Sequence, residues 1–229
     1  MSTELIVVLD VDTREEALRT VSACGACGWY KIGSQLFTRC GPMVVREVQG
    51  LGKNVFLDLK FHDIPNTVAN AARAAADLGV GLITLHAAGG RKMIEAARNA
   101  VEGSNTRILA VTVLTSLNDD MLWEDWGLKE TTAEAVPRFA LLAADSGAHG
   151  IVCSPLEIAA VRRTVGAGTM IVTPGIRPEW AAGGDDQARV LSPREAAEAG
   201  ADMIVVGRPI LKHQNPAEAV KLIMEELAE

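Results

Sequence analysis

Residues 54–79 read NVFLDLKFHDIPNTVANAARAAADLG. Asn54–Lys60 is a short, largely apolar run with the length of one buried strand. Asn66–Leu78 is alanine-rich with helical periodicity, and Gly79 stands at the C′ position where a helix ends. One strand followed by one helix is therefore the unit to seek along the rest of the chain.

The unit recurs. Further strand candidates are Leu5–Leu9, Trp29–Ile32, Leu82–His86, Arg107–Leu114, Gly150–Cys153, Thr169–Thr173 and Asp202–Val206. Most are continuously apolar rather than alternating, as expected of strands covered on both faces. Helix candidates lie between them. Arg14–Cys24 can be capped by Thr13, with Glu16 completing a capping box, and Gly41–Leu51 has Pro42 at a plausible first helical position. Arg91–Val101, Thr132–Ser146, Pro155–Val165, Pro193–Ala199 and Pro216–Leu227 complete the set, several of them followed by Gly103, Gly147, Gly166 or Gly200. This alternation predicts an α/β fold, a (β/α)8 TIM barrel, as a single domain over residues 1–229. A doubly wound open sheet is the competing arrangement. It would more often carry a glycine-rich dinucleotide turn after the first strand, where this chain has Asp10-Val11-Asp12. The least regular stretch, Gly175–Val190, has the length of a lid.

Apolar residues make up 48% of the chain, enough for a large core, and the formal net charge is -7. That balance argues against nucleic acid or an anionic membrane as the main partner. A small anionic substrate would need Lys and Arg concentrated locally. Residues 1–9 show no basic segment and too short an apolar run for a secretory signal. No stretch approaches the roughly 20 apolar residues of a membrane helix. Cys24, Cys27, Cys40 and Cys153 form no disulfide framework, so a cytoplasmic location is expected. The Cys24-Gly-Ala-Cys27 pair lies near a helix end with no second ligand pair, which favours packing over a metal or redox role.

Barrels of this kind place their active sites at the carboxyl ends of the strands. The polar residues there are Asp10, Lys31, Asp58, Lys60, His62, Asp63, His86, Thr112, Thr115, Ser116, Ser154, Thr173 and Arg208. Asp58 and Lys60 are two apart and share one strand face, while Leu57 and Leu59 take the other. Asp10 and Lys31 can point into the same mouth. Burying four charges as a purely structural network is expensive, so their convergence points to chemistry. An ammonium group beside carboxylates keeps its proton and can act as a general acid. Gly207-Arg208, with Pro174-Gly175 and Arg177 before it, falls where barrels bind phosphate. Glycine lets backbone N–H groups approach the anion, and Arg adds bidentate pairing. Gln187, late in the long loop, would close over that phosphate. No histidine pair has metal spacing; an orienting or structural role is expected of His62 and a place in the pocket lining of His86, and a catalytic role of neither.

Six pieces, VLD (8–10), YKIG (30–33), DLKFHDIPNT (58–67), TVLTS (112–116), TPGIR (173–177) and VGRPI (206–210), together resemble the orotidine 5′-monophosphate decarboxylase family. The resemblance covers nearly the whole chain, and the third piece is the most specific. It implies a barrel homodimer that decarboxylates orotidine 5′-monophosphate to UMP, the last step of de novo pyrimidine synthesis, with no metal or organic cofactor. It implies Lys60 as the proton donor to C6, with Asp58 near the departing carboxylate. Lys31 and Asp10 would contact the ribose and Thr115 would lie near the pyrimidine. Arg177, Gln187, Gly207 and Arg208 would hold the phosphate. Leu59, Phe61, His62, Ile64, Pro65 and Asn66 belong to the same substrate-binding run. Asp63 and Thr67 would reach into the partner subunit's site, making Asp63 the fourth member of a Lys31, Asp58, Lys60, Asp63 array.

Two other readings compete. Metal-dependent sugar-phosphate decarboxylases and aldolases of the same superfamily share an Asp-x-Lys-x-x-Asp run. They carry a Glu ligand at the end of the second strand, where this chain has Lys31, whose charge would repel Mg²⁺. A catalytically inert nucleotide-binding barrel should have lost some of these charges, and none is lost.

Overall fold

Eight parallel strands close into a barrel in sequence order. They are β1 (Glu4–Val8), β2 (Trp29–Gly33), β3 (Asn54–Phe61), β4 (Leu82–His86), β5 (Arg107–Val111), β6 (Gly150–Val152), β7 (Met170–Pro174) and β8 (Met203–Val206). The computed structural model describes residues 3–181 and 190–228. Among them the α-helices are α1 (Arg14–Ala23), α2 (Ser34–Cys40), α3 (Met43–Gly50), α4 (Pro65–Asp77), α5 (Arg91–Ala100), α6 (Asp119–Glu124), α7 (Thr132–Asp145), α8 (Ile158–Val165), α9 (Pro193–Glu198), α10 (Arg208–Leu211) and α11 (Pro216–Ala228). β8 pairs with β1, from Glu4 opposite Met203 to Val7 opposite Val206, so the sheet has no free edge. No helix among the described residues is long and apolar enough to cross a membrane.

Strand alternation divides the apolar residues between two cores. Ile6, Val8, Phe56, Leu82, Leu109, Val172, Met203 and Val205 fill the barrel lumen. Their neighbours Leu5, Val7, Val55, Leu57, Ile83 and Ile204 pack in the layer shared with the helices. Both strand faces are thus apolar, which is why the strands read as unbroken hydrophobic runs.

Local signals held in several places. Thr13 caps α1: the Glu16 N–H donates to Thr13 Oγ1 at 3.2 Å, and the Thr13 N–H donates to Glu16 Oε2 at 3.3 Å. Gly79, Gly103, Gly147, Gly166 and Gly200 all have positive φ. Cys24 and Cys27 are buried as packing residues. Burial pushes the Cys24 thiol up to about 11 and also raises that of Cys27.

The structure also departs from expectation. α2, α6 and α10 have no counterpart among the predicted helices. Each is short, and each buries a single side chain, Leu36, Leu122 or Ile210, which leaves almost no periodic pattern. Pro42 is the N-cap of α3 rather than its first residue. The helix expected from Pro155 opens with a 3₁₀ turn over Pro155–Glu157 before α8 begins. The fifth strand stops at Val111 rather than Leu114, because its partner β6 has only three residues to pair with. Only the Thr112 N–H continues the pattern, donating to the Val152 carbonyl at 3.2 Å.

Candidate active site

The lumen side chains end one layer below the carboxyl rim, and the next inward positions are polar. Asp58 follows Phe56 by two residues, Thr84 follows Leu82, and Lys31 follows Trp29, which packs on the same core. Asp58 is 8% exposed and Thr84 1%. The Lys60 Nζ donates to both Asp58 oxygens at 2.8 Å. Lys31 Nζ lies 3.4 Å from Asp58 Oδ2 and 3.5 Å from Asp10 Oδ1. Gly33 leaves room for this ammonium, since a Cβ there would come within 3.1 Å of Lys31 Nζ. The sequence expectation that Asp10, Lys31, Asp58 and Lys60 converge agrees with this arrangement.

Burial alone would raise the Asp58 carboxyl. The Lys31 and Lys60 ammonium groups, with hydrogen bonds from Lys60 and Thr84, outweigh burial and hold it below its ordinary value. Asp58 is therefore a buried carboxylate held ionised by two cations.

The β3–β4 pairing sets the backbone that carries Lys60. Leu57 pairs with Ile83, but Phe61 pairs with Leu85, so β3 carries two extra residues across the interval. Lys60 takes up the irregularity with φ 51°, and among the described residues no other non-glycine has positive φ. A left-handed backbone at a residue with a Cβ costs about 1–2 kcal/mol and persists where its surroundings enforce it. Here the Lys60 N–H donates to Thr84 Oγ1 at 2.9 Å, and that hydroxyl donates to Asp58 Oδ1 at 2.8 Å. Thr84 was not among the predicted site residues. The alternation that selects Asp58 after Phe56 also selects Thr84 after Leu82, so its signal was present.

A cavity of about 250 Å³ opens beside these groups. Lys31, Asp58, Lys60 and Thr115 supply polar lining, and Val111, Val113, Val152, Cys153 and Pro174 an apolar wall. The apolar wall carries no sequence signal that separates it from core. Cys153 is buried, and that burial pushes its thiol up to about 12, which disfavours the thiolate. The His86 ring lies 5.3 Å from that of His62. Burial, then the neighbouring His62 and Lys60, lowers the His86 pKa, which disfavours the protonated imidazole.

The other expected residues divide between the core and the rim, with one outside the described residues. Leu59 and Phe61 pack against the strand–helix core rather than lining the cavity. His62, Asp63, Ile64, Pro65, Asn66 and Thr67 form a continuous exposed run from the end of β3 into the first turn of α4, with Ile64 66% exposed. Asp63 Oδ1 accepts the Ile64 N–H at 2.6 Å. Arg177 follows β7, and its N–H donates to the Leu191 carbonyl at 2.9 Å, bridging the two ends of the long loop. Gln187 lies outside the described residues. Gly207 follows β8, where a Cβ would sit 3.3 Å from Val8 of β1, and Arg208 opens α10 beyond it.

Residues 3–223 match the family described as Orotidine 5′-phosphate decarboxylase / HUMPS. The orotidine 5′-phosphate decarboxylase of Heliobacterium modesticaldum is 50% identical, over 98% of this chain and 96% of that protein. The one from Halorhodospira halophila is 53% identical over 86% and 84% of the two chains. The crystal structure of orotidine 5′-phosphate decarboxylase from Lactobacillus acidophilus superposes with a TM-score of 0.88 at 37% identity, covering 99% of this chain and 100% of that one.

Proposed function

The chain belongs to the orotidine 5′-phosphate decarboxylase family, and from that membership we propose that it converts orotidine 5′-monophosphate to UMP and CO₂, the closing step of de novo UMP synthesis. The observation that carries the reading is the Lys60–Asp58–Lys31 contact at the barrel mouth. Cleavage of the C6–carboxylate bond leaves an electron pair on C6 as CO₂ departs. The Lys60 ammonium stabilises that charge and delivers its proton to C6, after which solvent reprotonates the amine. Asp58 stands near the substrate carboxylate, where its negative charge disfavours the bound ground state. Asp10 and Lys31 hold the ribose, and Thr115 meets the pyrimidine. Arg177, Gln187, Gly207 and Arg208 take the phosphate, whose binding energy supports the reaction at C6.

Lys31 also bears on the metal-dependent relatives. Its ammonium lies between Asp10 and Asp58, where a cationic side chain opposes a divalent ion. The test is to follow the ultraviolet spectrum of orotidine 5′-monophosphate with purified protein, with and without excess EDTA. Its conversion to the UMP spectrum is expected. An unchanged spectrum sinks the reading, and turnover that EDTA alone abolishes favours a metal enzyme.

The working unit is a homodimer in which Asp63 and Thr67 complete the partner's site. The exposed run 62–67, with Ile64 at its centre, supports this. Lys60→Ala and Asp63→Asn should each be inactive alone. After random subunit exchange, their mixture should recover about a quarter of the wild-type activity, since one site of each hybrid is intact. No recovery despite proven exchange means that each site is built from one chain.

A further inference from the structure

The Lys60 backbone and the Asp58 carboxylate depend on one shared atom. Thr84 Oγ1 carries a single hydrogen, and that hydrogen is committed to Asp58 Oδ1 at 2.8 Å. The oxygen can then only accept from the Lys60 N–H, as it does at 2.9 Å. The register shift between Leu57 and Phe61 removes the ladder carbonyl that this N–H would otherwise find. Thr84 is 1% exposed, so water does not easily replace the hydroxyl. Lys60 meanwhile holds a backbone conformation, φ 51°, that lysine rarely adopts.

We propose that Thr84 is a positioning residue for the reacting pair: its hydroxyl locks Lys60 in the left-handed conformation that aims Nζ into the cavity, and fixes the rotation of the Asp58 carboxylate beneath it. The inference rests on the reading of Lys60 and Asp58 as the groups that act on substrate. Loss of the hydroxyl leaves a part-buried N–H without this partner and frees the backbone to relax, which carries Nζ away from its place. It also takes one stabilising hydrogen bond from ionised Asp58, so the carboxylate protonates at a higher pH.

Thr84→Val keeps the shape and removes the hydroxyl; Thr84→Ser keeps the hydroxyl. Misplacement on this scale should lower kcat for orotidine 5′-monophosphate by about 10- to 100-fold in the valine variant, with KM little changed. The acidic limb of its pH–rate profile should move upward. The serine variant should stay within about threefold of wild type. Should Thr84→Val fail to fold, the same measurements on Thr84→Ala decide. A loss confined to KM, an unmoved acidic limb, or a serine variant as impaired as valine overturns the proposal. Wild-type protein run alongside separates the two readings: if it does not decarboxylate, the function reading fails by itself. The positioning claim is then judged on the crystal structure of the valine variant, where Lys60 retaining its positive φ overturns it.

Discussion

Lys60→Ala should lower the decarboxylation rate by about 10⁴-fold or more, because one side chain supplies both the proton and the fixed cation beside C6. The fold should survive. Asp58 keeps Lys31 at 3.4 Å and the Thr84 hydroxyl at 2.8 Å, so its carboxylate is not left alone. Lys60 itself is 38% exposed at its side chain, so much of its contribution is already screened by water. A stability loss of about 1–2 kcal/mol is expected, a drop of several degrees in Tm for a domain of this size. Single-turnover kinetics and a thermal melt by circular dichroism check both halves. A variant within about tenfold of wild type would mean that the proton comes from elsewhere.

Arg208→Ala should act on a different quantity. Arg208 stands at the carboxyl end of β8, next to β1 and the lumen mouth, where the phosphate is proposed to bind. A charge-assisted hydrogen bond contributes roughly 1.5–3 kcal/mol, so KM should rise by about 10- to 100-fold while kcat changes far less. A nucleoside control isolates the cause. Uridine, which has no phosphate, should bind wild type and Arg208→Ala equally, whereas UMP should lose affinity for the variant. Equal losses for both ligands would place Arg208 at the base or sugar instead.

The barrel itself was legible early. Eight apolar runs and the helices between them follow from local rules, because strands covered on both faces are apolar throughout and helices repeat at 3.6 residues. The Thr13–Glu16 capping box and the glycines after the helices were legible for the same reason: each is a contact within a few residues. Asp10, Lys31, Asp58 and Lys60 could be gathered into one mouth because strand alternation is a rule of period two. The short helices α2, α6 and α10 were not legible, since a helix that buries one side chain leaves nothing periodic to detect.

By itself the sequence determined which strand faces are apolar, which charges follow them at the carboxyl ends, and which family motifs those charges compose. Only the tertiary structure decided how Lys60 is delivered. Simple alternation would place it on the Asp58 face with an ordinary extended backbone. The observed route runs through two extra residues of β3 opposite β4 and a left-handed Lys60 anchored on Thr84, 24 residues away. Register between strands is set by pairing between distant segments, and a strained φ exists only where those segments enforce it. No local propensity of lysine encodes either.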